Sequence, residues 1–129
     1  MLWIRAGAVL MLLAVALGAF GAHALREKLD ARALEVWETG VRYQVYHAFA
    51  LFLVAWLATR FPNKTVDAAG WCFLSGTLVF SGSLYALAWT GIRSLGAVTP
   101  LGGLLFLAGW LSLAVGPLTP KAASKLLGF

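Results

Sequence analysis

Charged residues divide the chain into four long uncharged stretches. Residues 6–25, 43–59, 68–92 and 94–120 contain no Asp, Glu, Lys or Arg. A helix rises about 1.5 Å per residue, so about 20 apolar residues cross a hydrocarbon core of about 30 Å. The pattern predicts four transmembrane helices over residues 6–25, 43–59, 68–92 and 98–119, the last with a non-helical start before Pro100.

A different pattern fills the segment between the first two stretches. The apolar residues Leu29, Ala33, Val36 and Trp37 recur at helical spacing, and Asp30 precedes them as a candidate N-cap. This pattern predicts an amphipathic helix over residues 30–40 that lies at the membrane interface. A solvated connector is the alternative.

The other two connections are short, so consecutive helices are expected to be antiparallel neighbours. The predicted fold is an all-α membrane protein: one domain, residues 1–129, that forms a bundle of four transmembrane helices with an amphipathic interfacial helix between the first and second.

Composition supports this class. The chain is 61% hydrophobic and 12% charged, with a mean hydropathy of +0.85, which is too apolar for a soluble domain of this size. Its formal charge of +5 comes from scattered Lys and Arg, a pattern typical of membrane topology rather than nucleic-acid binding. Cys72 is the single cysteine, so an internal disulfide and a CxxC site are excluded.

The first stretch has two features of a signal peptide, a preceding Arg5 and the sequence Ala22-His23-Ala24. Its length of 20 uncharged residues exceeds the usual signal core of about 7 to 15. We therefore expect a retained span.

Lys and Arg are equally divided between the two sides of the predicted membrane. One side has Arg5, Arg60, Lys64, Lys121 and Lys125; the other has Arg26, Lys28, Arg32, Arg42 and Arg93. Acidic residues accompany the second group but contribute little to orientation. We expect both termini to be cytoplasmic.

Small residues recur at positions where helices can approach closely. The predicted packing positions are Ala14, Gly18, Ala22, Gly82, Gly102, Gly103, Gly109 and Gly116. They are expected to pack within the bundle, and a homo-oligomer interface is the alternative. The Ser and Thr residues of the third stretch are expected to bond their own helix or a neighbour, not to form a channel.

Two histidines, His23 and His47, lie in uncharged stretches near Arg26 and Arg42. This spacing predicts that they lie at one depth near one membrane face, where they are expected to form a structural pair. A polar-ligand site, and ligation of haem or a metal, are the alternatives. Because two His make an incomplete zinc set, we expect no metal and no cofactor.

Four motifs occur in order along the chain: GAFGAHAL, WETGVRYQVYH, FSGSLYALAWTG and TPLGGLLFLAGW. In these motifs the chain resembles the YgdD and YwdK type of small bacterial membrane proteins, a domain of unknown function with eukaryotic transmembrane relatives. The resemblance implies a multispanning inner-membrane protein without an assigned activity. The matching positions are Gly18, Gly21, His23, Tyr43, Gln44, His47, Gly82, Ser83, Tyr85, Thr99, Pro100, Gly102, Gly103 and Trp110.

Several of these positions suggest a site. Thr99 is a candidate N-cap of the fourth helix, and a helix N-terminus attracts anions. We expect a lipid phosphate or another small anion on this face, and ordinary interfacial Arg and capping are the alternative. The candidate residues are His23, Arg26, Arg42, Tyr43, Gln44, His47, Tyr85 and Arg93.

The sequence contains no GxSxG, HExxH, P-loop or dinucleotide motif. The expected function is non-enzymatic binding of membrane lipid or a membrane-protein partner, with no nucleic acid. The first alternative is a small-solute transporter or channel formed by an oligomer, although the four stretches lack the buried acids that ion-coupled transport usually requires. The second is a haem or metal protein built on the His pair.

Overall fold

Four long helices and one short 3₁₀ helix form the structure. The computed structural model describes residues 1–116, with α1 at Leu2–His23, α2 at Ala31–Arg60, α3 at Lys64–Thr90, the 3₁₀ helix at Arg93–Ala97 and α4 at Thr99–Val115. Four segments are each long and apolar enough to cross a membrane: α1, α2, α3, and the segment that the 3₁₀ helix forms with α4. The prediction of an all-α membrane protein with four spans is confirmed. Residues 117–119 of the predicted fourth span, and Lys121 and Lys125, lie outside the described residues.

The amphipathic segment is helical, but it is continuous with the second span. Residues 30–40 and 43–59 were predicted as separate helices, and α2 joins them in one helix of 30 residues. Gly40 lies buried inside this helix, and a Cβ built on it would lie 2.8 Å from the Tyr85 ring. At about 1.5 Å per residue α2 is about 45 Å long, so its first turns project beyond a hydrocarbon core of about 30 Å.

Side chains and one glycine fix the helix ends. Asp30 Oδ1 accepts a hydrogen bond from Ala33 N–H at 2.8 Å, as the N-cap of α2. Gly91 ends α3 with a left-handed φ of 71°, and its N–H donates to Leu87 O. The 3₁₀ helix runs directly into α4, so Val98 takes the N-cap position predicted for Thr99. The Thr99 hydroxyl lies 2.6 Å from the Ser83 hydroxyl instead.

Each helix packs mainly against the next along the chain: α1 on α2, α2 on α3, and α3 on α4. Between α2 and α3 the core contains the buried residues Leu51, Val54, Val66, Ala69 and Phe73. α1 and α4 flank this central pair and expose many large apolar side chains. Such exposure is expected where lipid, rather than water, surrounds the helices.

Five tryptophans lie towards the two ends of the bundle. Trp3, Trp56 and Trp71 lie towards one end of the bundle, and Trp37 and Trp89 lie towards the other. Trp is enriched at membrane interfaces because its apolar ring and polar N–H suit that layer. This distribution is the one expected of helices that cross a membrane.

The predicted packing positions differ in how closely they are approached. Gly102 and Gly109 are buried, and a Cβ built on them would lie 2.5 Å from Phe80 N and 2.6 Å from the Phe73 ring. Gly82 faces open space. The remaining predicted positions divide as follows: Ala14 is buried, Gly18, Gly103 and Gly116 are partly buried, and Ala22 is exposed. Gly21 faces α2 in place of Ala22, because its position on the helix meets the Trp37 ring.

Candidate functional site

Gln44, near the middle of α2, joins three helices. Its side chain is 3% exposed. The amide Nε2 donates to Leu10 O of α1 at 2.7 Å, and Oε1 accepts from the Tyr85 hydroxyl of α3 at 2.7 Å. A buried amide in lipid is costly unless its polar atoms are paired. Gln44 therefore ties α1, α2 and α3 together at one level.

His47 lies one turn further along α2 and has a partner on each ring nitrogen. Nδ1 is 2.8 Å from Tyr43 O, and Trp110 Nε1–H donates to Nε2 at 3.2 Å. A carbonyl accepts and an indole N–H donates, so these partners assign the neutral tautomer protonated on Nδ1. The imidazole also stacks on Phe106, with ring centroids 3.5 Å apart and planes 5° apart. Both positions at which His47 would bind a metal are thus engaged.

Two further bonds connect neighbouring helices. The Ser81 hydroxyl of α3 donates to Gly40 O of α2 at 2.6 Å, and Trp37 Nε1–H donates to Leu17 O of α1 at 2.9 Å. Within residues 1–116, no buried side-chain nitrogen or oxygen lacks a hydrogen-bond partner. Six of the polar side chains that bond between helices are called the interior network, and they are Trp37, Gln44, His47, Ser81, Tyr85 and Trp110. Its atoms bind one another rather than face a cavity.

The two histidines do not lie at one depth. His23 is exposed at the end of α1, whereas His47 is buried. Gln44 contacts Leu10, so His23 lies 13 residues further along α1, about 20 Å at 1.5 Å per residue. The predicted pairing is wrong because residues 31–42 belong to α2, which places His47 in the middle of that helix instead of near its start.

A groove opens at the end of the bundle formed by the α1–α2 loop, the start of α2 and the end of α3. Its volume is about 990 Å³. The apolar lining is Leu29, Ala33, Val36, Leu87, Ala88 and Trp89. The polar lining is Lys28, Asp30, Arg32, Thr90 and Arg93, with the backbone of Gly91. We call this feature the interfacial groove.

Three cations surround the interfacial groove. Lys28 comes from the loop, Arg32 from the first turn of α2, and Arg93 from the start of the 3₁₀ helix. All three are exposed. In the part of the chain that the structure describes, no side-chain hydrogen bond or ion pair engages them. The groove therefore presents positive charge beside an apolar surface.

The structure separates the predicted site residues into three groups. Tyr43, Gln44, His47 and Tyr85 meet in the middle of the bundle. Arg93 lines the interfacial groove, whereas His23, Arg26 and Arg42 are exposed and do not line it. The N-terminus of α4 is not part of the groove, because Gly102 packs against the α3 backbone at Phe80.

A second cavity of about 500 Å³ lies at the opposite end of the bundle. Its lining includes Trp3, Phe52, Trp56 and Thr59 but no charged side chain. Of these two cavities, only the interfacial groove has charged side chains beside an apolar lining.

Sequence reasoning missed Lys28 and Arg32 as members of a site, and Phe106 and Trp110 as neighbours of His47. The two cations were assigned to topology because single interfacial Lys and Arg are common. The sequence pattern that could have identified them is their position on either side of Asp30, the N-cap of α2. Contacts between His47 and α4 depend on helix rotation, which one sequence does not specify.

Comparisons with known proteins agree with the fold. Residues 17–103 match the family described as "Protein of unknown function (DUF423)". The chain is 51% identical over 110 residues to UPF0382 membrane protein YwdK of Bacillus subtilis, covering 84% of this chain and 89% of that protein. It is 47% identical over 114 residues to UPF0382 membrane protein SH2409 of Staphylococcus haemolyticus, covering 88% and 93%. A UPF0382 membrane protein of Haemophilus influenzae is 47% identical over 108 residues, covering 84% and 86%. No solved structure matches the chain.

Proposed function

The chain belongs to the DUF423 family of membrane proteins, and we propose that it is a non-enzymatic protein that binds anionic membrane lipid in the interfacial groove. The observation that carries the proposal is the lining of the groove, in which Lys28, Arg32 and Arg93 adjoin an apolar surface. A phosphate headgroup would bind the cations, and the acyl chains would lie against the apolar residues.

The depth of the groove supports a lipid as its occupant. Trp89, which belongs to one of the two Trp groups, lines it and is 56% exposed. Trp side chains prefer the headgroup layer, and this preference supports a position of the three cations near lipid phosphates. The volume of about 990 Å³ falls at the upper end of the range for small-molecule sites and accommodates a headgroup with its glycerol.

The interior network supports a non-catalytic role. An intramembrane ionisable residue is a functional candidate by default, but His47 has both ring nitrogens engaged and a ring stacked on Phe106. Catalysis or ligand binding there would first require these contacts to break. The names of the relatives describe them only as membrane proteins.

We place the protein in the bacterial inner membrane with both termini in the cytoplasm. Four crossings put the start of α1 and the end of α4 on one side, with Arg5, Arg60 and Lys64, and put the groove on the other. In this orientation the groove faces the outer leaflet. A reporter fused to the C-terminus tests it: alkaline phosphatase activity there would reverse the assignment.

Native mass spectrometry of the purified protein tests lipid binding. The probe is an equimolar mixture of dioleoyl phosphatidylglycerol and dioleoyl phosphatidylcholine. One interfacial Lys or Arg contributes about 1 kcal/mol to anionic-lipid attraction, so Lys28→Gln with Arg93→Gln should weaken phosphatidylglycerol binding about 25-fold.

The matched control replaces two cations outside the groove, Arg26→Gln with Arg42→Gln, and changes the net charge equally. We expect the affinity of this control for phosphatidylglycerol to stay within about twofold of the wild-type affinity, because neither residue lines the groove. Equal losses in both variants would show general surface attraction and overturn the assignment. Unchanged thermal unfolding of both variants would establish that folding does not account for the difference.

A further inference from the structure

We infer that the interfacial groove selects a lipid whose headgroup is a phosphomonoester, which carries close to two negative charges, over a phosphodiester lipid, which carries one. This inference rests on the proposed lipid binding and specifies its ligand class.

The charge of the lining favours a dianion. Three cations, Lys28, Arg32 and Arg93, and one carboxylate, Asp30, leave a net charge of +2. The Asp30 carboxylate is engaged in capping α2, where it accepts from Ala33 N–H. A phosphomonoester carries about −1.5 to −2 near neutral pH. A phosphodiester, with one negative charge, would leave the groove with an uncompensated positive charge.

The origin of the cations favours a phosphate with several free oxygens. Lys28, Arg32 and Arg93 come from three different segments that meet around the groove. A phosphomonoester offers three free oxygens, whereas a phosphodiester offers two. Arg binds two phosphate oxygens through its planar fork, and Lys acts as a point charge. Three cations on separate segments thus match the phosphomonoester better.

The apolar part of the groove favours a lipid over a soluble phosphate. Leu29, Val36, Leu87 and Trp89 belong to the lining of the groove. These side chains give a soluble phosphomonoester nothing to bind, whereas acyl chains gain contact with each of them. We therefore commit to a membrane lipid as the occupant.

The test compares two lipids that differ by one methyl group and one charge, dioleoyl phosphatidic acid and dioleoyl phosphatidylmethanol. Native mass spectrometry of the full chain at pH 7.5 measures the affinity for each, with dioleoyl phosphatidylcholine as the neutral reference. Each additional unit of charge near interfacial cations is worth about fivefold in affinity. We expect phosphatidic acid to bind about fivefold more tightly than phosphatidylmethanol.

Two variants of the lining sharpen the test. Arg32→Gln lowers the net charge of the lining to +1 and should reduce the preference for phosphatidic acid to less than about twofold. Asp30→Asn raises the net charge to +3 and retains a good N-cap, so it should tighten phosphatidic acid binding without changing thermal unfolding. The Arg42→Gln variant is the control and should keep the wild-type preference.

Each outcome has one meaning. Equal affinities for phosphatidic acid and phosphatidylmethanol, both above that for phosphatidylcholine, would overturn the selectivity and leave lipid binding intact. Equal affinities for all three lipids would overturn both proposals. Displacement of phosphatidic acid by an equal concentration of glycerol 3-phosphate would overturn the lipid as occupant and assign the groove to a soluble phosphomonoester.

Discussion

Polar side chains in the interior network bond to neighbouring helices, whereas the cations of the interfacial groove bond to no described side chain. Gln44 uses both ends of its amide for contacts to α1 and α3. Lys28, Arg32 and Arg93 line an open groove and bond to no described side chain. Both regions contain polar groups in an apolar chain, but only the groove has polar groups available to an external ligand.

The difference follows from the surrounding medium. In the hydrocarbon core an unpaired polar group costs several kcal/mol, so polar residues there must be paired within the protein. At the interface, water and lipid headgroups satisfy a cation without a protein partner. The comparison predicts that changes in the interior network alter stability with little effect on lipid selectivity, and that changes in the groove do the reverse.

The largest expected effect on stability is that of Gly102→Ala. A Cβ at this position would lie 2.5 Å from the backbone nitrogen of Phe80, so α3 and α4 would have to move apart. Overpacking of this kind costs about 1 to 3 kcal/mol, and occasionally more. Reversible unfolding in mixed micelles would measure the loss.

Gly82→Ala is the matched control for this change. Gly82 has no atom within 4 Å of a built Cβ, and Ala is the better helix former by up to about 1 kcal/mol. Stability should stay equal or rise. If Gly82→Ala destabilised the protein as much as Gly102→Ala, the close approach at Gly102 would not be the cause.

The next effect concerns the bond between Gln44 and Tyr85. Gln44→Leu removes the acceptor of the Tyr85 hydroxyl and the donor to Leu10 O. Interhelical hydrogen bonds in membranes are worth about 0.6 kcal/mol on average, and up to about 1.7. We expect Gln44→Leu to cost about 1 to 2 kcal/mol, since two such bonds are lost.

A double-mutant cycle with Tyr85→Phe isolates the pairwise term. A coupling energy near zero would contradict the bond. The same variants should retain the lipid preference of the wild type, because neither residue lines the groove. A large change in that preference would contradict the prediction that the interior network affects stability and not lipid selectivity.

Much of the fold was predictable because charges interrupt the apolar stretches near the helix ends. Arg42 is the exception, because the predicted second span begins directly after it although Arg42 does not lie near a helix end. It lies exposed on the side of α2, 11 residues after the helix begins. A long side chain can extend along a helix to reach the interface, so a single Arg does not mark a helix end.

The site was less predictable, because it depends on which helix faces meet. Gln44 and Tyr85 were both candidates, but they are 41 positions apart, and their bond requires a rotation of α2 against α3 that no local pattern specifies. His23 and His47 were paired by counting from Arg26 and Arg42. That count failed because Arg42 is not a boundary.

The smallest expected effect distinguishes two serines of α3 that look alike in sequence. The Ser81 hydroxyl, on a residue 1% exposed, donates to Gly40 O of the neighbouring helix, whereas the Ser75 hydroxyl donates to Trp71 O of its own helix. Ser81→Ala removes a contact between helices and should cost about 0.6 kcal/mol. Ser75→Ala removes a bond within one turn, which helix formation does not require, and should be neutral within about 0.3 kcal/mol. Unfolding of both variants under one condition measures the difference. Equal values would mean that the Ser81 hydroxyl contributes no more than a local one, and would remove Ser81 from the interior network.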